Sequence, residues 1–155
     1  MNINSTITLI VTLFVTSANA GTLIFEKSGF SINALDSSPP LSGAQPLQMS
    51  LPAVNGFSAN ISVQIQPYMG TLSQYKALSD SQFKQNGFKS ILSKINNNYV
   101  LYEFTGLITG KSFHWYSKAY KKGDFVYLVT ATEQEENWKD TKNDLITAVE
   151  SFKLQ

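Results

Sequence analysis

The chain has 155 residues, with twelve Lys, no Arg, eleven acidic side chains, one His and no Cys, for a formal net charge of +1. A near-neutral chain without Arg lacks the planar fork that grips phosphates and guanine edges, which argues against nucleic-acid binding. The missing Cys removes thiol nucleophiles, redox pairs and Cys-type zinc sites, and a lone His114 removes a His-rich metal site. No Asp-x-Asp-x-Asp-Gly calcium loop occurs, so no metal or cofactor is implied.

The N-terminus predicts a signal peptide over residues 1–20. Ile7 to Val15 is apolar apart from Thr8 and Thr12, and Ala18-Asn19-Ala20 follows. Such a run of about nine residues is too short to cross a hydrocarbon layer roughly 30 Å thick. The small-x-small triplet is what a signal peptidase cleaves. A short core helix or strand is the structural alternative. No Cys follows the run, so no lipid anchor is expected. The mature chain is expected to start at Gly21, in the periplasm or secreted, with no transmembrane segment. Residues 21–155, about 135 in number, suit one domain.

Thr22 to Glu26 and Gly29 to Asn33 read as two short strands, and Asp36 to Pro46 as a loop rich in Pro and Ser. Leu47 to Leu51 could be a strand, and Pro52 to Gly56 turns the chain. From Asn60 to Gln66 the alternation is strict, with Ile61, Val63 and Ile65 on one side and Ser62, Gln64 and Gln66 on the other. Thr71-Leu72-Ser73-Gln74 is a capping box that opens a helix. Leu72, Tyr75, Leu78 and Phe83 give that helix its core face, and Asn86-Gly87 stops it. Phe88 to Thr132 reads as a four-strand meander, turning at Asn96-Asn97-Asn98, Thr109-Gly110 and Lys121 to Asp124. Glu133 to Leu154 reads as a helix. Glu133, Glu135 and Glu136 fall in its first turn, where the helix dipole favours negative charge, and Trp138, Leu145, Val149 and Phe152 form its apolar stripe.

A two-residue turn at Thr109-Gly110 sets the pairing of the central strands. Phe104 then faces Trp115, Tyr102 faces Ser117 and Val100 faces Ala119, giving an apolar side that Val126 and Leu128 extend. The other side pairs Thr105 with His114, Glu103 with Tyr116 and Leu101 with Lys118. It gathers Glu103, His114, Tyr116, Lys118 and Tyr127, with Tyr99 and Tyr120 nearby. Two readings stand for this mixed side: an aromatic binding surface, or a second sheet face covered by a helix with charges at its rim. A Glu–His pair can do acid–base work. No nucleophile is placed beside this one, and no second carboxylate lies near it in sequence. Gly-x-Ser-x-Gly and Gly-x-x-x-x-Gly-Lys are absent, and Ser-x-x-Lys occurs without its companion motifs. The chain is therefore expected not to be an enzyme, and no catalytic residue is assigned.

Three segments carry a resemblance. They are Gly29-Phe30-Ser31-Ile32 after the first strand, Ile61 to Gln66 leading into Leu72-Ser73-Gln74-Tyr75, and Phe125 to Thr132 followed by an acidic helix start and Val149-Glu150-Ser151-Phe152-Lys153-Leu154. In this order they resemble the Mog1/PsbP-like superfamily across nearly all of the mature chain. The resemblance implies an α+β fold, a three-layer α/β/α sandwich with a central antiparallel sheet and a helix layer on each face. It also implies adaptor or binding roles and supplies no catalytic residues.

The expectation is an exported, periplasmic, non-enzymatic accessory module that binds a protein partner in the cell envelope. The alternative is a carrier for a small apolar ligand, a lipid or an aromatic compound, with its pocket on the mixed face. A cavity of several hundred cubic ångströms would favour the carrier. A solid interior with an exposed apolar patch would favour the partner-binding module.

Overall fold

The computed structural model describes residues 22–25, 29–33 and 47–154. The expected signal peptide and the Asp36–Pro46 loop lie outside the described residues. A two-stranded antiparallel hairpin, β1 (Thr22–Phe25) and β2 (Phe30–Asn33), belongs to a unit that runs to Ser38. The second unit holds everything from Pro39 onward. Its elements are β3 (Leu47–Ser50), β4 (Asn60–Pro67), α1 (Leu72–Gln85), β5 (Lys89–Ile95), β6 (Tyr99–Ile108), β7 (Lys111–Lys122), β8 (Phe125–Gln134) and α2 (Glu135–Glu150).

These strands form one antiparallel sheet in the order β3-β4-β8-β7-β6-β5. After β4, α1 carries the chain to the far edge, and the meander β5 to β8 walks back until β8 pairs with β4. The expected register holds, with Phe104 opposite Trp115, Tyr102 opposite Ser117 and Glu103 opposite Tyr116. Thr109 and Gly110 both take positive φ, 49° and 81°. That is the type I′ geometry, whose twist matches that of paired strands. On α1, the capping box is complete: the Thr71 N–H donates to Gln74 Oε1 at 2.8 Å and the Gln74 N–H to Thr71 Oγ1 at 3.2 Å.

The helices take opposite faces of the sheet. Strand alternation sends Ile61, Tyr116, Val129 and Ala131 to one face, where Trp138, Leu145 and Val149 of α2 cover them. It sends Val100, Tyr102, Phe104, Trp115 and Val126 to the other, where Tyr75, Leu72 and Phe83 of α1 join them. The three-layer α+β arrangement implied by the resemblance is the arrangement of this unit. Gly106 is needed on the α1 face. A Cβ there would stand 2.3 Å from the Phe88 ring, which rests on the bare backbone and stacks on Trp115 at 5.2 Å.

Both expected boundaries of the last helix move. Glu133 belongs to β8, not to the first turn of the last helix, and α2 begins at Glu135. The period-two alternation runs on past Thr132, so Glu133 follows Ala131 onto the α2 face opposite His114. Its carboxylate is buried but satisfied, accepting from the Gln134 N–H at 2.7 Å and the Thr141 hydroxyl at 3.3 Å. The same helix ends at Glu150, short of Leu154. At the sheet's outer edge β5 carries a bulge between Ser90 and Leu92, and Ile91, Leu92 and Ile95 are exposed there.

Candidate functional site

The five residues expected to form a binding surface lie on the face that α2 covers. His114 is 4% exposed and Lys118 5%. Of the two readings of that side, the covered second face is the one the molecule adopts. Four of the five residues divide into two polar groups beneath the helix. In the first, His114 Nε2 lies 2.9 Å from Glu103 Oε1 and Nδ1 lies 2.8 Å from Glu135 Oε2. Ionised carboxylates only accept, so both contacts are hydrogen bonds when both ring nitrogens carry hydrogen. Trp138 lies parallel to the ring at 4.0 Å. Both nitrogens face carboxylates and one ring face is capped, so this imidazole joins α2 to the sheet.

In the second group, Lys118 Nζ donates to Glu150 Oε2 at 2.5 Å and the Tyr116 hydroxyl to Glu150 Oε1 at 2.7 Å. The Lys118 ammonium also sits 4.2 Å from the centre of the Tyr99 ring. Burial pushes the Tyr116 phenol up, and the neighbouring Glu150 carboxylate adds to the shift. Burial opposes the charge on Lys118, but the Glu150 hydrogen bond and nearby groups hold it above its ordinary value. Tyr127 is half-buried opposite Tyr120 on the same face and joins neither group. The partners Glu135 and Glu150 come from α2, far along the chain from β6 and β7, and no short motif announces them.

The open site lies on the opposite face. The helix α1 packs chiefly on β5 and β6, and beside it the face opens over parts of β7, β8 and β4. The result is a cleft of about 610 Å³. One wall is α1, through Tyr75, Leu78, Ser79, Gln82 and Phe83, and Tyr68 and Ile108 also line it. Phe88, Phe104 and Trp115 make a stacked aromatic side, with Phe104 5.0 Å from Trp115 and Phe83 4.2 Å from Phe104. The floor is mixed: Leu128 is apolar, while Gln66, Ser117 and Thr130 are polar. Gln66 is fixed by the Tyr75 hydroxyl, which donates to its Oε1 at 2.9 Å, and Ser117 Oγ donates to Thr130 Oγ1 at 3.0 Å.

Sequence reasoning reads Leu72, Tyr75, Leu78 and Phe83 of α1 as core, with Phe104 and Trp115 of the sheet. Leu78 departs from that reading: it is 47% exposed at the cleft, while the others pack in the core. What sequence reasoning misses is that α1 stops short of the sheet's other half. The available signal is the placement of Ser117, Thr130 and Gln66 on a face that is otherwise apolar. Among the described residues, no group of three or more His, Cys, Asp or Glu is placed to hold a metal ion.

No family model matches the chain, and no curated protein matches it. Solved structures do. The protein of unknown function PA94 from Pseudomonas aeruginosa is 12% identical, with a TM-score of 0.66 over 87% of this chain and 96% of that one. Cyanobacterial PsbP (CyanoP) from Synechocystis sp. PCC 6803 is 15% identical, with a TM-score of 0.46 over 95% of this chain and 99% of that one. At these identities the likeness to PA94 is one of fold.

Proposed function

We propose that this chain is an exported, non-catalytic accessory module that acts by binding, and that the cleft beside α1 is where it binds. The cleft carries the reading. Its volume of about 610 Å³ falls within the range of sites that enclose a small molecule or a bulky side chain. Its lining joins a large aromatic surface to a few fixed polar groups, the usual makeup of such sites. The mixed face has no such role in this reading, because its polar groups are spent on holding α2. Export is supported by the apolar run Ile7 to Val15 and the Ala18-Asn19-Ala20 triplet.

The occupant in the first reading is an apolar side chain of an envelope protein. Exposed Leu78 and Ile108 at the cleft would widen that contact. The second reading, a carrier of a small lipid or aromatic compound, is favoured by the polar floor, which a polar group on such a compound would match and a purely apolar side chain would leave unmatched. The test is capture from envelope extract by tagged mature chain, run beside Thr130→Leu, which fills the floor. A partner or organic compound held by the native chain and lost with Thr130→Leu is the expected result. Capture unaffected by the substitution would remove the cleft as the binding site.

A further inference from the structure

An ordered row of hydroxyls crosses the α1 face of the sheet, and its middle members, Tyr102, Ser117 and Thr130, line the cleft. Ser62 pairs with Thr130, Thr130 with Ser117, Ser117 with Tyr102 and Tyr102 with Ser93. The row spans β4, β8, β7, β6 and β5 on the α1 face. Its outer end is occupied, since Ser93 Oγ donates to Asp80 Oδ1 at 2.6 Å. Thr130 Oγ1 accepts from Ser117 Oγ at 3.0 Å and is half-buried where it lines the cleft. Tyr102 is 1% exposed, and its hydroxyl makes no hydrogen bond of good geometry among the described residues, with the Ser79 side chain its hydrogen-bonding neighbour. A buried donor without an acceptor is costly, and native interiors rarely leave one unmatched.

Among the described residues, no Asp, Glu, Lys, Arg or His lines this cleft. Burial also pushes the phenols of Tyr75 and Tyr102 up, which keeps both neutral and able to donate. A charged ligand group would lose its hydration here and meet no opposite charge. The aromatic side, from Phe83 through Phe104 to Trp115 and Phe88, offers ring faces and edges that an aliphatic chain uses less well than another ring.

We infer that the cleft takes a neutral, ring-bearing compound carrying a hydroxyl or carbonyl group, its ring against the aromatic side and its polar group on the hydroxyl row. This rests on the reading that the cleft is the binding site, and it names the ligand's chemistry.

The probes are 2-naphthol, 2-naphthoate and 1-decanol, titrated into the mature chain by calorimetry. The fluorescence of Trp115 is followed in a Trp138→Phe background, where it is the remaining tryptophan of two. Saturable binding of 2-naphthol with a change in Trp115 emission is expected. Binding of 2-naphthoate should be at least about tenfold weaker, since its carboxylate would be buried unpaired. Decanol, which lacks a ring, should also bind more weakly. Thr130→Val keeps the side-chain shape and removes the hydroxyl. It should weaken 2-naphthol several-fold in the folded chain while lowering the melting temperature, because the buried Ser117 hydroxyl loses its acceptor. Ser117→Ala, which removes that donor instead, supplies a second variant should the first unfold. Equal binding of all three probes, abolished by Thr130→Leu, would overturn the ligand class and leave the cleft as the site. Binding of 2-naphthol that neither Thr130→Val nor Thr130→Leu alters would also overturn the inference, because the probe would then sit elsewhere. If no probe binds, the ligand class is wrong. Envelope capture that Thr130→Leu abolishes would then still uphold the cleft.

Discussion

Two residues on the α1 face show how tightly the aromatic side is built. Phe88 lies on Gly106 because nothing projects from that backbone position, and it stacks there with Phe104 at 5.9 Å and Trp115 at 5.2 Å. Gly106→Ala should therefore lower stability by about 1–3 kcal/mol through overpacking against the ring. The same change made in Phe88→Ala should cost much less, because the obstructing ring is gone. A double-mutant cycle in urea measures that coupling, and simple additivity would contradict the stacking described. Trp115, in contact with three phenylalanines, should cost roughly 3–5 kcal/mol when replaced by Ala. A change under about 0.5 kcal/mol would be that of a surface position and would refute its burial.

At the scale of elements, the meander is legible in the sequence and the seat of α2 is not. Counting from Thr109-Gly110 gives every pairing between β6 and β7, and the turn within Lys121 to Asp124, whose two linking residues are Gly123 and Asp124, sets those between β7 and β8. Trp138, Leu145 and Val149 state that one side of α2 must be buried, but nothing in that stripe selects a sheet face. The mixed side receives it because Glu103, His114, Tyr116 and Lys118 find Glu135 and Glu150 there, pairings between segments too distant for any motif to display. The start of α2 is misplaced from sequence for a related reason. An acidic residue looks the same at the end of a strand as in a first helical turn. The cleft stays hidden because α1's width of cover depends on where the helix sits, which its periodicity does not encode.

The same seat of α2 gives a pH dependence with a definite sign. Burial would raise the Glu150 carboxyl, but hydrogen bonds from Lys118 and Tyr116 outweigh it and hold the group below its ordinary 4.5. A lowered folded-state pKa contributes stability that is complete above the unfolded value and disappears as pH falls through the folded one. Lys118 is shifted upward from 10.5, so its part persists through neutrality and is lost only in strong alkali. Glu150→Gln should thus reduce the urea midpoint at neutral pH. The gap from the native chain should begin to narrow as pH falls through about 4.5 and close once the folded-state carboxyl, which titrates lower, is protonated. Because Glu150 is partly exposed, added salt should shrink the gap as well. A gap of constant size down to pH 3 would show that the carboxylate's charge is not what holds the helix end.

For the whole molecule, the expectation of export makes a mass prediction. Protein recovered from the periplasm or medium should begin at Gly21, and a secreted chain that retains Met1 would refute cleavage after Ala20. No described helix is long and apolar enough to cross a membrane.

The pairing of β4 with β8 has a consequence in time. Asn60 meets Thr132 and Pro67 meets Phe125, so the strand begun early is closed by one of the last to be made. Contacts this far apart in the chain slow folding, because the intervening loop must be closed before any of them forms. The β5–β8 meander needs only neighbouring segments and is free to assemble first. The cleft needs Gln66 from β4 together with Ser117 and Thr130 from β7 and β8. It therefore comes into being at the rate-limiting closure, and the ability to bind should appear in refolding with the slowest phase, after most of the sheet has already formed.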